Sequence, residues 1–391
     1  MKQPIRKSTI EANGIIDEKP IYTLLLDMNS LMKTCLVDKR MNGDGKEYGM
    51  VFLVLRIIGN LLLKKDFNFC VACYDGFNSG ALRYNFYHDY KANRDKHYEI
   101  ASGTSDYDRE IAKYCMKVLK YAKQKNAKTE RVRNETDDEI FERQRGIIQE
   151  ILENLCVRQF MYDSVEGDDL IANYVKNKKS NEKVVIVSGD RDLSQLISSD
   201  VCLYIPTLKT FVTDKNSVEI LGCTHKNIVL KKMICGDVSD NIKGIKGIGE
   251  QTLFKIFPEM INEEATLSYV MERSRALIEE RKANKKKPLK SLENLLNGVT
   301  DGIQGDKIYE INKRLIDLSE PILTEEAKYG MLNEMYAPMD MEGRDIKNVY
   351  KIIEANGMSD ILKPSAFGNL FGCFERIIKM EKKYFLKNAT F

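Results

Sequence analysis

The amino-acid sequence predicts an α/β fold whose core is a doubly wound, mainly parallel β-sheet. Five short runs of Val, Ile, Leu, Cys and Phe are bounded by Gly, Ser or Asp, which is typical of strands buried on both faces of a parallel sheet. Segments with the helical period separate most of these runs, and this alternation is the pattern of a doubly wound sheet. Most of the runs also end beside an acidic residue.

The predicted elements follow a loose arm over residues 1–20. A core is expected over 21–257, and its predicted strands and helices are YTLLLDM, a helix near 48–64, NFCVACYD, a helix near 138–155, CVRQFMY, a helix at 168–177, KVVIVS and VCLYIP. A long insertion over 77–137 interrupts this core. After Pro258 the strand pattern stops, so we expect a helical region over 258–391.

The composition predicts a soluble enzyme of the cytoplasm. Hydrophobic residues make up 43% of the 391 residues, enough for a sizeable core, and no apolar run approaches the length of a membrane span. The N-terminus lacks the apolar segment of a signal peptide. The nine cysteines are scattered and are expected to be buried free thiols, with a metal or redox site at Cys70 and Cys73 as the alternative. Lys and Arg total 61 against 58 Asp and Glu, so acids gathered in one site would leave a basic surface that suits a polyanionic substrate.

Nine acidic residues are expected to meet at one end of the sheet, because ligand crevices lie beyond the carboxyl ends of parallel strands. They are Asp27, Asp75, Glu166, Asp168, Asp169, Asp190, Asp192, Asp237 and Asp240. Two carboxylates about 4 Å apart repel each other by roughly 4 kcal/mol near a protein surface, so the cluster requires divalent cations. Oxygen ligands favour Mg²⁺ or Mn²⁺ over zinc. The histidines fall outside the acidic motifs, so a histidine-based mechanism is not expected; they are His88, His97 and His225.

The motif HDYKANRDKHYE predicts contacts with nucleic acid shortly after Asp75. Lys91 and Arg94 could stabilise charge on a phosphate, and Tyr90 could stack on an unpaired base. An ordinary surface turn is the alternative. Arg83, upstream of this motif, is a further candidate for nucleic-acid contact.

Two other features predict phosphate contacts. The turn GIKGIG would let backbone N–H groups approach a phosphate, and its glycines are Gly244, Gly247 and Gly249. The alternative is a plain connector between helices. The insertion contains an amphipathic helix with a face of lysines, which either contacts phosphates or is merely solvated. These lysines are Lys113, Lys117 and Lys120. The basic run at 281–290 is either a linker or a further phosphate contact.

Six motifs together closely resemble those of the flap endonuclease, or 5′-nuclease, family. They occur in the family's order and are DMNS at 27–30, CYDG at 73–76, YKANR at 90–94, VEGDDLIA at 165–172, SGDRDLSQLI at 188–197 and GDVSDNIKGIKGIGEQT at 236–252. Within the family, the chain is most similar to the bacteriophage members of the T-even type, which have ribonuclease H and 5′-3′ exonuclease activity. The insertion is longer than in those relatives, and the glycine-rich turn is more complete.

The resemblance implies a PIN-like 5′-nuclease core with a helical arch at 77–137, a helix–three-turn–helix at 230–257 and a helical C-terminal extension. One metal would be held by Asp75, Glu166 and Asp168, with Asp27 nearby. The second would lie among Asp190, Asp192 and Asp237, with Asp169 and Asp240 as further or water-mediated ligands. Lys91 and Arg94 would be the catalytic basic pair at the base of the arch. The three glycines would grip a duplex and bind K⁺.

The implied function is structure-specific 5′-3′ hydrolysis of phosphodiesters by two Mg²⁺ ions about 4 Å apart, with Mn²⁺ as a substitute. Substrates would be RNA–DNA hybrids, duplex 5′ ends and 5′ flaps, and the products would carry 5′-phosphate and 3′-hydroxyl groups. The expected role is removal of RNA primers and flaps in phage DNA replication and repair. A monomer is expected, with DNA, RNA–DNA hybrid and a single-strand-binding protein or sliding clamp as partners, and with no membrane.

Three other classes of protein share part of this pattern. A haloacid-dehalogenase-type phosphatase needs a second Asp where Asn29 stands. A PIN-type endoribonuclease has a similar acidic layout but does not need the glycine-rich turn or the long basic insertion. A protein that binds junctions or flaps without cleaving them is the alternative outside the enzymes, although it has no need of all nine acids.

Overall fold

The computed structural model describes residues 20–92, 135–301 and 305–388. Most of the predicted arm and the central part of the predicted insertion lie outside these residues. Four predicted site residues lie there too and remain predictions: Arg94, Lys113, Lys117 and Lys120.

The elements are numbered in chain order over the described residues. The strands are β1 (Ile21–Asp27), β2 (Phe69–Cys73), β3 (Arg158–Phe160), β4 (Glu182–Val187), β5 (Val201–Ile205), β6 (Thr210–Val212), β7 (Gly236–Asp237) and β8 (Ile242–Lys243). The helices are α1 (Met28–Cys35), α2 (Gly49–Lys64), α3 (Ala81–Tyr84), α4 (Asp137–Asn154), α5 (Gly167–Asn177), α6 (Ser217–Leu221), α7 (Ile228–Cys235), α8 (Glu250–Ile256), α9 (Leu267–Ala283), α10 (Lys290–Leu296), α11 (Lys307–Ile316), α12 (Glu325–Glu334), α13 (Ile346–Ala355), α14 (Pro364–Phe371) and α15 (Glu375–Asn388). Short 3₁₀ turns lie at Arg191–Leu196, His225–Asn227, Pro258–Ile261 and Gly372–Phe374.

Six strands form one sheet in the order β3-β2-β1-β4-β5-β6. The first four neighbouring pairs in this order are parallel, and only β6 runs antiparallel to its neighbour β5. From the central strand β1 the chain winds outwards to β2 and β3, and it returns to β4 and β5 on the other side. The predicted doubly wound, mainly parallel sheet is therefore confirmed, and the crevice between β1 and β4 is the point at which such sheets bind ligands.

Successive side chains of β1 enter two apolar layers, because neighbouring residues of a strand point to opposite faces of the sheet. Leu24 and Leu26 pack with α1, α2 and α4, whereas Leu25 packs with α5 and α12. All three side chains are fully buried. Both faces of the sheet are covered, which explains why its strands are continuous apolar runs and do not alternate with polar residues.

The helices expected after Pro258 are present, and they pack in three different places. α9 and α10 join α7 and α8 around a separate apolar cluster, α12 covers one face of the sheet, and α13–α15 complete the layer over α2. A buried ion pair of 2.6 Å joins Arg158 of β3 to Glu381 of α15. The predicted boundary at 257–258 thus marks a change of element type and not a break in packing.

The cysteine pair in β2 does not form a common site. Cys70 faces the apolar layer that contains α2, and Cys73 faces the opposite layer. The eight cysteines that the structure describes are all free thiols. None of the described helices has the length and apolar character needed to cross a membrane.

Candidate metal centre

Two acids lie at the switch point between β1 and β4. Asp27 ends β1 and caps α1, where its carboxylate accepts a hydrogen bond of 3.0 Å from the Ser30 N–H. The Ser188 hydroxyl, just after β4, donates to Asp27 at 2.6 Å and accepts from the Asp190 N–H at 2.8 Å. Ser188 therefore fixes these two acids relative to each other across the crevice.

Two further acids reach the same crevice from the neighbouring strand and helix. Asp75 lies two residues beyond β2, and its carboxylate accepts hydrogen bonds from the Gly167 N–H at 2.8 Å and the Asn29 amide at 2.6 Å. Gly167 is the first residue of α5, so its bond brings the Asp75 carboxylate to the start of that helix. Asp168 follows directly on α5.

The charges of these four acids act on one another. Burial raises the pKa of Asp27 to about 7, and the charges of Asp75 and Asp190 add to the shift. Burial also raises the pKa of Asp168 well above its usual range, and Asp27, Asp190 and Asp75 raise it further. Together with the hydrogen bonds of Ser188 and Gly167, these shifts place all four acids at the carboxyl edge of the sheet. We term these four residues the strand-end acids: Asp27, Asp75, Asp168 and Asp190.

Glu166 and Asp169, in contrast, are neutralised by the protein itself. The Arg83 guanidinium lies 2.5 Å from Glu166 and 2.5 Å from Asp169. The Tyr90 hydroxyl donates to Glu166 at 2.9 Å, and the Lys91 ammonium also pairs with it. Although burial raises the pKa of Glu166, Lys91 and Arg83 lower it to about 2.

These contacts concern three of the predicted site residues. Arg83 is 5% exposed and Tyr90 is 2% exposed, so neither side chain is placed to contact nucleic acid. Asp169 is 0% exposed, pairs with Arg83 and accepts the Ile322 N–H at 2.8 Å, and its role as a further or water-mediated metal ligand stays a prediction. The physical reason for the pairing is that buried carboxylates require partners, and Arg83 is the partner.

Lys91 joins the base of the insertion to the acidic segment after α7. Its ammonium pairs with Glu166, and its backbone N–H donates to the carbonyl oxygen of Asp240 at 2.8 Å. The Asn241 amide donates to the Asp89 carbonyl oxygen at 2.7 Å. Lys91 therefore lies at the predicted site, although its contact with a phosphate remains a prediction.

A third set of acids surrounds a lysine that sequence reasoning missed. The Lys232 ammonium lies 2.6 Å from Asp237 Oδ2 and also bonds Asp192 Oδ2. Burial and Asp190 raise the pKa of Asp192 to about 6, while Lys232 lowers it. The only sequence signal is the helical position of Lys232 in VLKKMICGD, which does not by itself distinguish it from Lys231.

The donor chemistry suits a hard divalent cation, because carboxylate oxygens are the ligands that such cations prefer. Within the described residues, however, no three His, Cys, Asp or Glu side chains are arranged to enclose one ion. Several of the oxygens are instead turned towards Arg83, Lys91 and Lys232. The strand-end acids, whose charges repel one another, fit a cation best.

The glycine-rich turn lies between α7 and α8 and is held by buried isoleucines at 242, 245 and 248. Gly247 is exposed and has a positive φ of 85°. A side chain at Gly244 would come within 2.1 Å of the Cys235 carbonyl group, so packing alone requires this glycine. Gly249 directly precedes α8, with open space around it. Phosphate contact by the turn remains a prediction.

Comparison with known proteins identifies the family to which the chain belongs. Residues 22–222, just over half of the chain, match the family described as 5′-3′ exonuclease, N-terminal resolvase-like domain. The chain is 31% identical over 154 residues to DNA polymerase I of Bacillus subtilis, which is 38% of this chain and 17% of that protein. It is 31% identical over 152 residues to a 5′-3′ exonuclease of Mycoplasma pneumoniae, which is 37% of this chain and 52% of that protein. The matches thus span about half or less of these relatives.

A solved structure has the same fold over nearly the whole length. The T5 D15 protein, co-crystallised with metal ions, aligns with a TM-score of 0.51 and 16% identity, covering 92% of this chain and 99% of that one. The described part of the chain is of the doubly wound α/β class, with acidic residues at the switch point of its sheet. Within that class, this chain belongs to the 5′-3′ exonuclease family, as its motifs predicted.

Proposed function

We propose that this protein is a metal-dependent 5′-3′ nuclease that hydrolyses phosphodiesters at duplex 5′ ends, in 5′ flaps and in RNA–DNA hybrids. The observation that carries the proposal is the meeting of the strand-end acids, which come from four separate segments and raise the pKa values of Asp27 and Asp168. Membership of the 5′-3′ exonuclease family supports it. Such a concentration of negative charge is costly for folding and is explained by a bound cation.

We assign a separate group of acids to each of the two proposed cations. The strand-end acids would hold one Mg²⁺, with Glu166 beside it, and Asp192, Asp237 and Asp240 would hold a second together with Asp190. Mn²⁺ would substitute for Mg²⁺. When bound, the cations would activate a water molecule and neutralise charge on the scissile phosphate. Ser188 and Asn29 would keep the ligands oriented through the hydrogen bonds that they donate to Asp27 and Asp75.

The chain's basic groups would bind and orient the substrate. Lys91 and Arg94 would stabilise negative charge at the scissile phosphate, an effect that is strongest in the transition state. The turn at Gly247 and Gly249, where K⁺ would bind, would contact the backbone of a duplex arm. The insertion lysines and the basic run at 281–290 would add further phosphate contacts.

The proposed setting is removal of RNA primers and flaps during DNA replication and repair, in the cytoplasm of a bacterial host if the protein comes from a phage. The protein would act as a monomer, recruited by a single-strand-binding protein or sliding clamp. The support for this setting is the similarity of the sequence motifs to those of bacteriophage 5′-nucleases.

The test uses the purified full chain with Mg²⁺ on three 5′-labelled substrates: an RNA–DNA hybrid, a nicked duplex and a 5′-flap DNA. We expect cleavage of at least one, loss of cleavage with EDTA, and loss in Asp75→Asn with binding retained. Tight, structure-specific binding without cleavage would instead identify a junction-binding protein. Cleavage of an added single-stranded RNA, and of none of the three substrates, would identify an endoribonuclease.

A further inference from the structure

The Lys232 ammonium lies between two acids that reach it from separate elements. Asp192 belongs to the 3₁₀ turn after β4, and Asp237 belongs to β7. Lys232, on α7, lies 2.6 Å from Asp237 Oδ2 and bonds Asp192 Oδ2, and its side chain is only 19% exposed. The ammonium thus occupies the space between two proposed ligands of the second cation.

The two carboxylate oxygens of Asp237 have different partners. Its Oδ1 already accepts hydrogen bonds from the Ser239 N–H at 2.8 Å and the Ser239 hydroxyl at 2.6 Å. Oδ2 is therefore the oxygen that a cation would use, and it is the oxygen that Lys232 bonds. A divalent ion and the ammonium cannot both lie within bonding distance of the same small set of oxygens.

We propose that Lys232 is an internal counter-ion for the second cation position, which neutralises Asp192 and Asp237 until a divalent cation displaces it. This inference rests on the proposed metal centre. Lysine suits such a role because its compact charge is carried by a flexible stem that can swing aside. The strand-end acids repel one another and would bind a cation without this competition.

The two proposed cation positions should therefore differ in their affinity for divalent ions because of the Lys232 side chain. Binding at the strand-end acids relieves repulsion, whereas binding between Asp192 and Asp237 must first break the contacts of Lys232. The chain would fill one position at low metal concentration and the other only at higher concentration. Lys232 would thus set the metal concentration at which the second position is filled.

The experiment measures Mn²⁺ binding to the full chain by isothermal titration calorimetry, without nucleic acid, and thermal unfolding of the metal-free protein. The variant is Lys232→Gln, and the matched control is Lys231→Gln. Lys231 is the preceding residue of α7 and pairs with Glu250 at 3.3 Å. We expect Lys232→Gln to tighten the weaker Mn²⁺ site by roughly tenfold, about the effect of one charge-assisted hydrogen bond. The metal-free variant should unfold at a lower temperature than the metal-free unsubstituted chain, and Mn²⁺ should remove this difference.

A second variant should change the Mn²⁺ affinity of the weaker site in the opposite direction, and it tests the proposal even if Lys232→Gln fails to fold. Lys232→Arg keeps the charge and can pair with both carboxylates at once, so the weaker site should weaken further. Unchanged affinity of the weaker site in a folded variant would overturn the role of Lys232 and leave the metal centre intact. Absence of Mn²⁺ binding in the unsubstituted chain and in every variant would overturn the metal centre as well.

Discussion

Asp168 and Asp169 are neighbours on α5, yet their surroundings are opposite. Burial raises the pKa of both carboxyl groups. The charges of the other strand-end acids raise the pKa of Asp168 further, whereas the charge of Arg83 offsets part of the rise for Asp169. Successive residues of a helix point about 100° apart, which is enough to separate the two environments. The comparison shows that one acidic motif contains both an acid that lies among other carboxylates and an acid that pairs with an arginine.

Other acids of the crevice also divide into those that pair with basic side chains and those that lie among other carboxylates. Glu166 lies two residues before Asp168, and it accepts bonds from Arg83, Tyr90 and Lys91. The paired acids would stabilise the fold without metal, while the strand-end acids would lower stability until a cation binds. Substitutions on the two sides should therefore change stability in opposite directions.

The largest expected effect is on cleavage by Asp168→Asn. We expect a loss of about a thousandfold or more in rate, equivalent to roughly 4 kcal/mol, because a charged ligand is removed. The metal-free variant should be more stable than the unsubstituted chain by about 1 kcal/mol, since one repelling charge is lost. Single-turnover cleavage and urea unfolding measure the two effects. Asp44→Asn, in an exposed loop, is the control, and a stability loss in Asp168→Asn would contradict the comparison.

Arg83→Met tests the contribution of the paired acids, Glu166 and Asp169, to stability. Removing the guanidinium leaves Glu166 and Asp169 buried without their shared partner, which should cost about 3 kcal/mol of unfolding free energy. Urea unfolding measures it, with the exposed Arg56→Met on α2 as the control. Adding Asp169→Asn to Arg83→Met should recover part of the loss. A double variant no more stable than Arg83→Met would mean that the pairing contributes little.

Tyr90→Phe should have the smallest effect. The ring is kept and only the hydroxyl that bonds Glu166 is lost, so we expect a stability loss of about 1 kcal/mol. Binding of a flap substrate should be unchanged, because the ring is buried. Tyr90→Leu should reduce stability more, again without selective loss of affinity. If Tyr90→Phe kept full stability and Tyr90→Leu selectively lost binding of unpaired bases, the stacking role predicted from the sequence would be restored.

The sequence by itself determined the order of the elements, the parallel sheet and the family. These features follow from apolar runs, helical periods and short motifs, which are properties of residues close together in the chain. The same logic placed Asp27, Asp75 and Asp190 at the ends of strands. The short antiparallel strand β6 was missed because its three residues do not belong to a longer apolar run, whereas the three residues of β3 lie within the run CVRQFMY.

Only the tertiary structure decided which acids pair with a basic side chain and which lie among other carboxylates. Arg83 lies 83 residues from Glu166, and Lys232 lies 40 residues from Asp192. Such pairs depend on the direction of each side chain and on the packing of distant segments, which local patterns do not specify. The sequence therefore located the acidic crevice, whereas the fold determined which of its acids pair with basic side chains.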